Sequence, residues 1–319
     1  MNKLEADRGM KPLTGQRIGI FGRGGSGKST CTVFLAKSLA EAGYGVCVLD
    51  ADSTNEGLAQ ALGAGDAPES LLDWLGGTVF SGGPVTCPVD DPVPIQGARV
   101  RQEVLPSQFV GQSPEGIRIF QVGKMGPLGP GAGCDGPMTK IARDFVLETD
   151  GPAPVTLIDF KAGIEDVSRG VVTSLDWVVV VIDPSYAGVL AAATLKALLE
   201  QLHQGALPAT RHLQSPELIR LLEDSYRGAR TQGALYVLNK VADAETEYQL
   251  WQRLLGAGLH ATAVIRDDPR IRASWLEGSP LNSNPALGEA AKLVRALEEG
   301  RGAFVESAPA EHASAGTTA

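Results

Sequence analysis

The sequence predicts a doubly wound, mostly parallel α/β sheet with helices on both faces, and three observations carry the prediction. Short apolar runs of strand length alternate with helical patterns along most of the chain. The apolar runs are continuous, as in strands buried on both faces. Asp50 with Asp52, Asp159 and Asn239 each stand at the carboxyl end of such a run, as does a glycine-rich turn over residues 22–30. Ligands of doubly wound sheets bind at that edge.

The elements follow in order. Residues 1–15 read as a flexible tail, residues 16–300 as one domain, and residues 301–319 as a disordered tail. Arg17–Phe21 is the first strand, and a helix runs from Lys28 to about Ala42, where Gly43 and Gly45 end it. Gly45–Leu49 is the second strand, with Ser53, Thr54 and Asn55 as caps for a helix reaching Leu62. A short helix is expected over residues 66–76. Residues 77–116 form an insertion whose prolines exclude long regular elements. Ile117–Val122 is a strand, residues 123–136 a glycine-rich loop with Cys134, Met138–Leu147 a helix, and Val155–Ile158 a strand. A helix within 163–174 and the strand Trp177–Ile182 come next, then the helix Ala187–His203. A second insertion spans residues 206–233, where Ser215-Pro216 starts a helix. Strands at 235–238 and 261–265 alternate with helices at 245–255, 270–276 and 288–298.

Composition narrows the class. The chain has 319 residues, 43% hydrophobic and 20% charged, which suits a soluble globular protein with a large core. A net charge of −9 gives no basic footprint, so no nucleic-acid partner is expected. No run approaches the ~18 apolar residues of a membrane span, so no membrane partner is expected either. The N-terminus lacks a signal peptide's apolar core, and the four scattered cysteines show no C-x-x-C pair. A reducing cytoplasm is the simplest compartment.

The chemistry concentrates in Gly22-Arg23-Gly24-Gly25-Ser26-Gly27-Lys28-Ser29-Thr30, which fits the phosphate-loop pattern G-x-x-x-x-G-K-[ST]. Glycines let the backbone wrap a polyphosphate and aim its N–H groups inward, and the helix behind adds its positive end. Lys28 would reach the β- and γ-phosphates, and Ser29 would ligate Mg²⁺. Asp159, closing an apolar strand, stands where a Walker B carboxylate holds Mg²⁺. Asp50 and Asp52 share a face if their strand continues, so one would position a water and the other support the metal. The Gly163 N–H would sense a γ-phosphate. Arg23 is not needed to bind a nucleotide; across a two-fold dimer it would reach the partner's phosphates.

Residues 23–29 resemble the deviant Walker A loop, K-G-G-x-G-K-[ST], of the MinD/ParA/nitrogenase-iron-protein group, a SIMIBI-type branch of the P-loop NTPases, with Arg23 in place of the signature lysine. Within that group the likeness is closest to the CooC-type ATPases, nickel-insertion accessory proteins of carbon monoxide dehydrogenase. Leu49-Asp50-Ala51-Asp52 resembles their switch I and Asp159-Phe160-Lys161-Ala162-Gly163-Ile164-Glu165 their switch II, with basic Lys161 a departure. Leu238-Asn239-Lys240-Val241 resembles a later strand end, and Ala263 through Arg266 to Pro269 the segment that closes over the base. The likeness spans residues 17–298 apart from the insertions. It implies Mg-ATP binding, slow hydrolysis, an ATP-dependent homodimer and a client metalloenzyme. It also implies that Asn239 reads adenine and that Arg266 and Pro269 border the base.

One departure concerns metal cargo. Residues 123–138 match the stretch where CooC-type proteins carry a metal-binding C-x-C, but the second cysteine is Gly136 here. Cys134 alone offers two thiolates per dimer, half of a four-sulfur site for nickel or another transition metal. Cys87 is the other cysteine that would complete it. The competing reading is a ParA/MinD-like positioning ATPase without metal handling. A third is a regulator that binds nucleotide with little turnover.

Overall fold

The computed structural model describes residues 10–78, 83–125 and 133–304. The expected tails fall largely outside these residues, as do parts of the first insertion (79–82) and of the glycine-rich loop (126–132). Residues 10–15 are not loose: Leu13 is buried, and the Gly15 N–H donates to the Ala153 carbonyl.

Ten strands and ten α-helices are described. The main sheet has eight strands in the order β10-β9-β8-β1-β7-β2-β5-β4. They are β1 (Arg17–Phe21), β2 (Val46–Ala51), β4 (Gly111–Gln112), β5 (Arg118–Gln121), β7 (Val155–Phe160), β8 (Trp177–Ile182), β9 (Gly233–Val241) and β10 (Ala261–Arg266). All neighbours pair in parallel except β4, which runs antiparallel on the edge. Every residue of β1, β2, β7 and β8 is buried, which explains their unbroken apolar runs.

Two core clusters lie on opposite faces of the sheet. One joins Ile18, Ile20 and Val48 to α1 (Lys28–Glu41) and α10 (Asn284–Glu298). The other joins Phe21, Leu49 and Ile158 to α4 (Gly136–Asp144) and α6 (Tyr186–His203). The remaining helices are α2 (Leu58–Leu62), α3 (Leu71–Trp74), α5 (Glu165–Ser168), α7 (Pro216–Arg227), α8 (Ala244–Gly256) and α9 (Pro269–Glu277). Ser215 caps α7, its Oγ accepting from the Leu218 N–H.

Several local expectations change. Residues 53–55 do not cap a helix. The Asp52 side chain instead turns the backbone on itself, accepting from the N–H groups of Thr54 and Asn55, and α2 begins only after Gly57. The helix expected over 66–76 shrinks to α3. The helix expected to reach Leu147 ends at Asp144, because the buried Arg17 guanidinium takes the carbonyls of Ala142 at 2.7 Å and Phe145 at 2.6 Å. The chain then forms β6 (Val146–Glu148), which pairs in parallel with β3 (Arg99–Arg101) from the first insertion. That two-stranded sheet was invisible to a pattern of three-residue strands.

The register gathers the acidic strand ends. Asp159 of β7 lies level with Ile20 of β1 on one side and Asp50 of β2 on the other. The turn after β1 therefore opens beside both aspartates.

Candidate nucleotide site

The turn between β1 and α1 needs its glycines. Gly22 adopts φ 153°, and a Cβ there would meet the Val181 carbonyl oxygen at 2.4 Å. Gly27 adopts φ 91°, and a Cβ there would lie 2.0 Å from Asn239 Nδ2. Asn239 is buried and donates from that nitrogen to the Ser26 carbonyl at 2.7 Å, while Lys240 Nζ donates to the Gly25 carbonyl at 2.8 Å. The carboxyl end of β9 thus braces the turn from behind. The side chains of Lys28, Ser29 and Thr30 head α1 at the rim of a cavity of about 570 Å³.

That cavity brings together Gly24, Gly25, Gly27, Lys28, Ser29, Thr30, Asp52, Asn239 and Arg266 from the predicted set. Sequence reasoning missed other members of its wall: Asn55, Lys240 and Trp275. Trp275 on α9 donates from Nε1 to Thr30 Oγ1 at 2.9 Å, tying the far wall to the head of α1. Lone tryptophans give no signal in sequence that separates a pocket wall from a core. Arg266 pairs with Glu247, and Pro269 opens α9 without lining the cavity.

The carboxylates behave differently from one another. Ser29 Oγ donates to Asp159 Oδ2 at 2.6 Å, and Asn55 Nδ2 donates to Ser29 Oγ at 3.1 Å. Asp159 Oδ1 is buried and has no hydrogen-bond partner among the described residues. Burial pushes the Asp159 carboxyl up to about 7; the Ser29 hydrogen bond and Lys28 oppose the rise, while Asp50 and Asp52 add to it. An orphaned buried carboxylate oxygen next to a hydroxyl is a hard-donor arrangement suited to Mg²⁺, which would neutralise the clustered charge. Asp52 Oδ1 accepts from Thr54 Oγ1 at 2.8 Å, and its residue lines the cavity. Asp50, the next-to-last residue of β2, does not line the cavity, and its Oδ2 accepts from Lys124 Nζ at 2.8 Å. Even with that partner, burial pushes Asp50 up to about 6.

Three predicted residues lie apart. Arg23 points away from the cavity and pairs with Asp183 at 3.2 Å, its side chain 44% exposed. The Gly163 N–H donates to the Gly22 carbonyl at 3.2 Å. Cys134 lies outside the cavity wall, its Sγ accepting from the Gly136 N–H at 3.3 Å. Cys87 is packed against the same glycine: a Cβ on Gly136 would lie 2.9 Å from Cys87 Sγ. The first insertion therefore places a second thiol beside Gly136. Next to Cys134 in sequence, Asp135 pairs with Arg169 at 2.9 Å, and Arg169 also meets Asp166 at 3.4 Å. Among the described residues, no group of three or more His, Cys, Asp or Glu side chains is arranged to hold a metal ion. No described helix is long and apolar enough to cross a membrane.

A parallel sheet with a glycine-braced turn, lysine and serine at a helix head, and a buried aspartate alongside defines a P-loop nucleotide-binding domain. The family model of the CobQ/CobB/MinD/ParA nucleotide-binding domain matches residues 20–281, and the chain belongs to that family. An uncharacterized ATP-binding protein of Methanocaldococcus jannaschii is 30% identical over 188 residues, 58% of this chain and 74% of that protein. The carbon monoxide dehydrogenase accessory protein CooC of Rhodospirillum rubrum is 28% identical over 201 residues, 58% of this chain and 70% of that protein. The septum site-determining protein MinD of Pyrococcus horikoshii, solved with Mg-ADP, superposes with a TM-score of 0.54 at 18% identity, covering 89% of this chain and 94% of that one.

Proposed function

We propose that the chain is a Mg-ATP-dependent ATPase, similar to CooC, whose nucleotide-driven homodimerisation serves the maturation of a client metalloenzyme. The observation that carries the ATPase reading is that Lys28, Ser29 and Asp52 line one cavity while Ser29 donates to the buried Asp159 directly behind its wall. Lys28 would bind the β- and γ-phosphates, the turn's N–H groups would hold the phosphate chain, and Ser29 with Asp159 would hold Mg²⁺, with Asp52 in support. Mg²⁺ supplies charge neutralisation at the transferred phosphoryl group. Asp52, pinned by Thr54 and Asn55 through one oxygen, keeps the other free to orient the attacking water. Arg23 acts as the deviant Walker A residue, in trans across the dimer. Breaking its half-exposed pair with Asp183 costs about 0–1 kcal/mol, so the side chain is cheap to redeploy. Asn239 is assigned to bracing the turn as well as to the adenine, because its amide nitrogen is committed to Ser26.

The client half of the reading is supported by the CooC likeness and by Cys87 beside Cys134 at Gly136. Two thiols per chain, four per dimer, make a soft-donor set for a transition-metal cargo. The positioning-ATPase alternative draws on the MinD superposition, which is a likeness of fold alone. Metal titration of the purified dimer separates the two. Binding of Ni²⁺ or Zn²⁺ that falls at least tenfold in both Cys134→Ser and Cys87→Ser supports the cargo reading. Equal binding by wild type and both variants removes it.

A further inference from the structure

A second cavity, of about 760 Å³, lies at the opposite edge of the main sheet. Its floor is the start of β9, with Ala234, Leu235 and Tyr236, and the start of β10, with Ala261 and Thr262. Asn239 and Lys240, which brace the nucleotide turn, stand at the other end of β9. From Ala234 to Asn239 the strand advances by about 16 Å. One wall is the last turns of α6, with Lys196, Glu200 and His203, and another is the turn before β10, with Gly258 and His260.

The remaining wall is the chain that leaves α10. β10 begins its pairing with β9 at Tyr236, whereas β8 already pairs at Gly233. Residues 302–304 take the edge of β9 that β10 leaves open. The Ala234 N–H donates to the Gly302 carbonyl at 3.0 Å, the Phe304 N–H donates to the Gln232 carbonyl at 2.9 Å, and Gly233 bridges antiparallel to Ala303. The approach requires glycine, since a Cβ on Gly233 would lie 2.1 Å from the Gly302 oxygen. The Phe304 ring is thereby held against the His203 ring, with centroids 5.0 Å apart.

This lining holds unused donors. Tyr236 is only 8% exposed, and its hydroxyl joins no hydrogen bond among the described residues. The hydroxyl is not sealed into the core either, so it opens on the cavity that its residue lines. Burial, and after it Glu200, pushes the phenol pKa up, which keeps the group a protonated donor. His260 has no hydrogen bond or ion pair among the described residues. Two of the four histidines of the chain line this one space. The charge balance is also reversed here: Lys196 and Arg301 stand against Glu200 alone, in a chain of net charge −9. Lys196 is paired with Glu200, which leaves Arg301 as the excess cation; its own partner, Glu299, lies outside the lining.

We propose that this cavity is a second ligand site, taking a small aromatic monoanion of the arylcarboxylate or arylsulfonate class. The Tyr236 hydroxyl donates to the anionic group, Arg301 balances its charge, and the His203–Phe304 pair flanks the ring. The volume is that of a small-molecule pocket with an apolar floor and a few convergent polar groups. A polyphosphate is disfavoured, because no helix N-terminus lines the space and α6 enters it by its negative, carboxyl-terminal end. The proposal stands apart from the nucleotide reading, since the two cavities share no residue.

The test is a fluorescence titration of the full chain with 8-anilinonaphthalene-1-sulfonate, an aromatic monoanion whose emission rises in an apolar site. Saturation at one site per chain is expected, with displacement by 2-naphthoate and none by Mg-ADP. Tyr236→Phe removes only the hydroxyl, and Arg301→Ala changes an exposed position; with native circular dichroism, each is expected to weaken binding at least about fivefold, the scale of one lost hydrogen bond or charge contact. N-phenyl-1-naphthylamine, the same rings without the sulfonate, is expected to bind Arg301→Ala as it binds the parent. The absence of saturable binding, unchanged affinity for the sulfonate in either variant, or displacement by Mg-ADP overturns the proposal. An equal loss for the neutral analogue in Arg301→Ala overturns the assignment of Arg301 to the anion.

Discussion

Ser29 Oγ donates to Asp159 Oδ2 at 2.6 Å across 130 residues of sequence, joining the head of α1 to the end of β7. The donor hydroxyl occupies one carboxylate oxygen, and Asp159 Oδ1 has no partner among the described residues. Protons and metal compete for one buried carboxylate whose pKa stands near 7. Mg²⁺-dependent nucleotide affinity should fall as pH drops from about 8 to about 6, and isothermal titration across that range reads it.

The same residue sets a stability profile. A carboxyl raised from 3.8 to about 7 contributes stability that is fully present below its ordinary pKa and is lost as pH rises through the folded value. Asp50, raised to about 6, has the same sign. The ligand-free chain should therefore melt higher near pH 5 than near pH 7.5. Asp159→Asn, neutral throughout, should raise the melting temperature near pH 7.5 by several degrees, corresponding to a few kcal/mol, and by clearly less near pH 5, the difference vanishing only below about pH 4. Thermal melts at both pH values check this.

Asp52 and Lys28 should separate chemistry from binding. Asp52→Ala should slow ATP turnover by about 10² to 10³ while nucleotide affinity stays within about threefold, the pattern of a group that orients the attacking water. A steady-state ATPase assay alongside a binding titration reads the split.

Arg23→Ala should leave nucleotide binding by the monomer intact and weaken ATP-induced dimerisation. Arg23 faces Asp183 and the surface rather than the cavity, so its loss removes no local contact to the ligand. Analytical ultracentrifugation with a non-hydrolysable ATP analogue gives the monomer–dimer ratio. Equal dimerisation in wild type and variant would remove the role in trans.

Arg17 offers a test of the fold. Its guanidinium is buried and donates to the carbonyls of Ser174, Ala142, Arg143 and Phe145, while its backbone N–H takes Asp176. Arg17→Met removes the donors and leaves those carbonyls unpaired, at a cost of about 3–5 kcal/mol in urea unfolding.

Legibility from sequence tracked locality. β1 and β8 were bounded to the residue because each is a fully buried run between clear turn signals. The turn glycines and the aspartates at strand ends were legible because a doubly wound sheet sends strand ends to one edge. What escaped depends on partners distant in the chain. Lys124 reads as a loop lysine until β5 is laid beside β2. Trp275 reads as a helix aromatic until α9 folds over Thr30. Cys87 sits in a proline-rich stretch with no period, and only folding brings it to Gly136. Asn55 was read as a helix cap, yet Asp52 claims its N–H and turns its side chain toward Ser29. The three-residue β3 and β6 are too short to carry a pattern and pair across the insertion.

The central claim is that this cavity binds Mg-ATP through the turn headed by Lys28. Titration of wild type and Lys28→Ala with a fluorescent ATP analogue in the presence of Mg²⁺ tests it most directly. The account predicts saturable binding to wild type at one site per chain and a loss of at least about a hundredfold in the variant, the scale of removing a buried cation from a phosphate site. Equal affinity in the two chains, or no saturable binding to either, would contradict it.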